Sequence, residues 1–161
     1  MTSLRVVKAL LLAVLSSGCA HSPAAAPSAV HAIVVRLRPG DDVKLELEAL
    51  AKRENLEAAA IGSGVGSLEM TALRFANQSS PTVLDGYREI VSLVGTLDRR
   101  GSHLHLAVSD KNGVTVGGHL LSGSRVYTTA ELVLLVFPDV RFARERDATY
   151  GYEELVVRSK R

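Results

Sequence analysis

The stretch GSHLHLAVSDKNGVTVGGHLLSG, residues 101–123, carries three of the chain's five histidines: His103, His105 and His119. A neutral imidazole binds a transition-metal ion through a ring-nitrogen lone pair. Three imidazoles with a fourth position open form the ligand set of a catalytic-type zinc site, and the same set suits nickel, copper or iron. Ligation competes with protonation, so affinity should fall as pH drops through roughly 6–7.

Whether the three converge depends on strand geometry. Side chains on a strand alternate faces, so His103 and His105 project the same way. SDKNG, 109–113, is a turn signal, with Asn112 and Gly113 able to take positive φ. A three-residue loop of Lys111, Asn112 and Gly113 sets position 105 opposite 119, and all three imidazoles then share a face. A register slip of one residue sends His119 to the other side. Gly117 and Gly118 precede His119 and leave room for close backbone approach. An H-x-H pair alone equally suits a half-buried sheet decorated by histidine; the third, face-matched histidine brings the metal forward.

Other residues offer weaker chemistry. Glu131, in YTTAEL, is the nearest candidate base by sequence, with strand-end surface as its plainer role. Arg36 and Arg88 can orient an anionic ligand or form ion pairs within strands. IGSGVGSL places Gly62, Gly64 and Gly66 at G-x-G-x-G spacing, ahead of a strand rather than a helix. A phosphate loop needs a helix N-terminus behind its glycines, so a tight β-turn is expected here.

The elements that must position these groups lie in one domain. MTSLRVVKALLLAVLSSGCA has a basic start (Arg5, Lys8), a short apolar run and small residues before Cys19, as in a bacterial lipoprotein signal. Residues 1–18 are expected to be removed, Cys19 to carry the lipid, and 19–30, which include His21, to form an Ala/Pro/Ser-rich tether. The chain is therefore expected to be exported and membrane-anchored at the extracytoplasmic face. A single cysteine excludes an internal disulfide framework. The 19 Lys and Arg stand against 17 Asp and Glu, and loss of Arg5 and Lys8 balances them. No nucleic acid partner is expected of such a chain. The basic-leaning end, RFARERDATYGYEELVVRSKR, is broken by acids and reads as solvated surface.

Residues 31–158 read as an α+β domain, mostly antiparallel sheet with one main helix. HAIVVRLR (31–38) is a strand and PGDD a turn whose Asp41 or Asp42 caps a helix over 43–54. Strands follow near 67–77, 86–98, 103–110 and 113–121, with a long strand or pair over 125–138 and a closing strand over 152–159. The absence of tryptophan predicts an aliphatic core.

The order GYREI, then GTL, then GSHLHLAVSDKNGVTVGGHLLSGSRVYTTAELVLL closely resembles the PPC (plants and prokaryotes conserved) domain, from about residue 31 to 157. RLRPGDDV and AAIGSGVGSL belong to the match, and GYREI (86–90) resembles the Gly-Arg-Phe-Glu-Ile motif of plant members. The resemblance implies a compact homotrimeric domain with a metal at His103, His105 and His119. DNA contact in the plant proteins belongs to an AT-hook with an Arg-Gly-Arg-Pro core, and this sequence contains none. The expectation is an exported PPC-like metal-binding module, with zinc the leading divalent transition metal. The alternatives are a metal-dependent enzyme acting on a small molecule and a trimeric scaffold without metal.

Overall fold

The computed structural model describes residues 29–160. In chain order the elements are β1 (His31–Leu37), α1 (Val43–Arg53), β2 (Ala59–Arg74), β3 (Thr82–Asp98), β4 (Gly101–Ser109), β5 (Thr115–Leu120), β6 (Arg125–Val136), β7 (Val140–Arg146) and β8 (Glu153–Ser159). This is the antiparallel α+β architecture with a single helix. The leader, Cys19 and His21 lie outside the described residues.

Helix α1 begins where the sequence places it. The Asp42 side chain accepts hydrogen bonds from the amides of Lys44 and Leu45, both at 3.0 Å, and so satisfies two otherwise orphaned donors. Glu46 in the first turn and Lys52 and Arg53 in the last complement the helix dipole. Val43, Leu47, Leu50 and Ala51 form its buried stripe. They pack with Leu68, Leu73, Leu97, Leu104, Leu106, Leu120, Leu132 and Leu134 into one aliphatic core.

The six-stranded sheet runs β1-β6-β2-β3-β4-β5. β2 is its hub, pairing with β3 and β6 along its length and with β5 at its end through Leu73↔Leu120 and Arg74↔His119. Strands β2, β3, β4 and β5 thereby close a circuit.

Two expectations need correction. The glycines of IGSGVGSL make no tight turn, because they lie inside β2, between β3 and β6. Glycine is needed there for close approach: a Cβ on Gly66 would stand 2.1 Å from the Thr129 carbonyl oxygen, and φ is +147°. Register shifts around Ile61/Ser63 and Gly66/Leu68 bend the strand at these points. Of the strand or pair expected over 125–138, a single strand forms, β6, over Arg125–Val136. The second correction concerns the basic-leaning end, which holds strand β7, whose Val140 and Phe142 pack on Ala58. β8 pairs with β7 in a separate two-stranded sheet and does not close the main one.

Candidate metal centre

The β4–β5 hairpin has the register that brings its histidines together. His105 pairs with His119 and Ser109 with Thr115. The loop is closed by the Asp110 amide donating to the Val114 carbonyl at 3.0 Å, and Gly113 takes φ 78°. The Asp110 carboxylate accepts from the amides of Asn112 and Val114, at 2.8 and 3.0 Å, which holds its pKa below the ordinary value. Leu104, Leu106 and Val108 point into the core. Their alternation leaves His103 and His105 on the opposite, exposed face, while His119 is half-buried.

The ring centroids of His103, His105 and His119 lie 4.9–5.5 Å apart. One nitrogen from each falls within 4.8 Å of the others. The Nε2 atoms of His103 and His105 are 3.3 Å apart. A tetrahedral ion with Zn–N bonds of about 2.0–2.1 Å separates neighbouring donors by about 3.4 Å. The His103–His105 spacing therefore matches a zinc-sized ion, and the three histidines together could hold one.

Electrostatics favour the neutral rings that ligation requires. Partial burial, then His103, Arg74 and His105, lower the pKa of His119 to about 4. His103 is also lowered, by partial burial first, then by Arg144 and His105, against an opposing pull from Glu154. Arg74 reaches this site because β2 ends against β5, and Gly118 permits the approach: a Cβ there would sit 2.8 Å from the Arg74 carbonyl oxygen.

A cleft of about 1070 Å³ opens beside the histidines, with His103, His119, Arg74, Arg144, Phe142 and Tyr152 in its wall. A second hollow of about 450 Å³ is lined by all three histidines. The remaining sequence candidates lie elsewhere. Glu131 is on β6, separated from β4 by β2 and β3, and stands opposite Arg36 of β1. Arg36 donates to Thr129 Oγ1 at 3.0 Å, a strand-to-strand contact. Arg88 sits mid-β3 opposite Leu68, away from the cluster. Arg74, Arg144 and Thr96 were not among the candidates, because only long-range strand pairing brings them to the histidines.

The model of the Plants and Prokaryotes Conserved (PCC) domain matches residues 24–138, which includes every strand of the six-stranded sheet and all three histidines. The chain belongs to the PCC family. It is 45% identical over 131 residues to the bifunctional protein GlmU of Synechococcus sp. (strain JA-2-3B'a(2-13)). That match takes in 81% of this chain but 21% of the relative, so the chain spans about a fifth of the curated protein. A hypothetical protein from Salmonella is 44% identical, with TM-score 0.82, over 84% of this chain and 98% of that one. A metal-containing protein from Archaeoglobus fulgidus shares the fold at TM-score 0.71 and 23% identity, over 81% of this chain and 96% of that one.

Proposed function

We propose that this PCC protein is a metal-binding module in which His103, His105 and His119 hold a divalent transition metal, with zinc the first choice. The observation that carries the reading is the convergence of three imidazole nitrogens within 4.8 Å on one sheet face. The metal-containing Archaeoglobus protein of the same fold is in keeping with it. Three protein donors leave a four-coordinate ion one position for a ligand. Metal analysis of untagged protein beside a His103→Ala/His105→Ala variant tests the proposal. Stoichiometric metal in the parent and none in the variant supports it; equal content in both defeats it.

The cleft beside the histidines supports a second reading, a metal-dependent enzyme for a small molecule. A bound ion of this type supplies Lewis acidity toward a carbonyl or phosphoryl oxygen. The protein's own part is to keep His119 and His103 neutral and to seat the substrate against them. Turnover that disappears with the His103→Ala/His105→Ala variant distinguishes this reading from simple binding.

The setting we propose is extracytoplasmic: residues 1–18 as export signal, Cys19 lipidated, the chain up to residue 30 as tether, and 31–158 as the domain. Mass spectrometry of membrane-extracted protein, looking for an acylated Cys19 at the new N-terminus, tests it. The proposed assembly is a homotrimer without nucleic acid. Exposed Val34, Val65, Val91 and Val94 on the sheet face away from the core supply apolar surface for it, and sedimentation gives the subunit number.

A further inference from the structure

The cleft beside the histidines contains two guanidinium groups that form no ion pair among the described residues. Arg74 and Arg144 are both half-buried. Among the described residues, the Arg74 side chain donates only to the Gln78 carbonyl oxygen, at 3.5 Å. Arg144 donates to Thr96 Oγ1 at 3.0 Å, and Thr96 is the strand partner of His103. Among the described residues, neither arginine has an acidic oxygen within 4.0 Å, whereas six other ion pairs do form.

The third arginine of the cleft shows the contrast. Arg100 grips Asp98 through Nε and Nη2, at 3.1 and 3.0 Å, and also donates to the Phe142 carbonyl oxygen. Its charge is met within the protein. A guanidinium has five donors in a planar fork that matches carboxylate and phosphate oxygens. Arg74 and Arg144 leave most of theirs without an acceptor among the described residues, in a partly desolvated wall where an unmet charge is costly.

We propose that this cleft binds a small organic anion, its carboxylate or phosphate neutralised by Arg74 and Arg144 beside His103 and His119. The inference deepens the metal reading, since a bound ion would add a further attraction for the same anion, but the arginine contacts do not depend on it. Glu153 and Glu154 also line the cleft. They limit the occupant to a small anion, because a polyanion filling the space would meet both carboxylates.

The test uses amide NMR of the purified full chain, titrated with inorganic phosphate and with lactate, in zinc-loaded and metal-free forms. The expected result is saturable shifts at Arg74, Ser102, Arg144 and their neighbours, stronger with zinc. Arg74→Gln and Arg144→Gln should each weaken anion binding at least tenfold in the metal-free form, where zinc content plays no part, while Arg74→Lys and Arg144→Lys recover part of the affinity. Arg53→Gln, at the far end of α1, serves as the unaffected control. Preference for phosphate or for lactate identifies which anion is the natural chemistry. Binding that ignores both Gln substitutions, or no binding in either form, overturns the inference. Zinc uptake with no anion binding defeats this inference alone; arginine-dependent anion binding in a protein that takes up no metal upholds it and defeats the metal reading.

Discussion

Arg74 and His119 are strand partners across the junction of β2 and β5. This pairing places a cation against an imidazole and contributes to holding His119 in its neutral form. It also ties the histidine hairpin to the strand at the centre of the fold, so the site and the sheet closure share one seam.

Zinc should stabilise the protein, and only with all three histidines present. A ligand that binds the folded state alone adds about 2.7 kcal/mol at a hundred times its dissociation constant. Thermal unfolding of the parent is expected to shift upward with added zinc. His119→Ala should lose that shift and retain the metal-free melting temperature within a few degrees.

Acid should weaken the metal-free fold in a defined window. His119 titrates near 4 in the folded protein against 6.5 ordinarily, so below 6.5 the unfolded chain takes up a proton that the folded one resists. The stabilising difference is complete above 6.5 and is lost progressively as pH falls toward 4. His103, lowered in the same direction, adds to it. Chemical denaturation of parent and His119→Gln across pH 4–8 checks this, with a flatter profile expected for the variant.

Gly118→Ala should damage the site more than the fold. The new methyl group meets the Arg74 carbonyl oxygen at 2.8 Å, and the end of β2 must withdraw from β5. Only two residue pairs join those strands, so the core loses little. Zinc affinity measured against a chromophoric chelator is expected to fall about tenfold, a cost of about 1.4 kcal/mol, with a smaller change in melting temperature.

Asp42→Ala should destabilise the domain by about 1–2 kcal/mol. Its carboxylate caps α1 and also accepts from the Gly123 amide in the β5–β6 connection. Urea unfolding is the direct measurement, and Asp42→Asn should recover most of the loss.

The histidine hairpin was legible because its information is local. Alternation sets the faces, and the three-residue loop at 111–113 sets the register that pairs His105 with His119. The cap and stripe of α1 are local for the same reason. β2 was misread because glycines in a strand crowded from both sides look like glycines in a turn. What distinguishes them is the approach of Thr129 and Leu93, remote in sequence. β7 was hidden because its arginines and glutamate mask the inward pair Val140 and Phe142. Arg74 and Arg144 carry no local signature at all, and their role emerges only when β2 meets β5 and β7 meets the turn between β3 and β4.

The contact between β2 and β5 has a further effect at the margin of the sheet. An open sheet ends in two strands with unpaired amides and carbonyls, each a template on which another chain can add. Here the end of β5 is turned back onto β2, and among the described residues β1 is a border strand paired on one side alone. Val34, 75% exposed, lies in the middle of that border. Among the described residues, 31–37 therefore form a border on which strand addition to this sheet can start, whether productive or as the first step of aggregation.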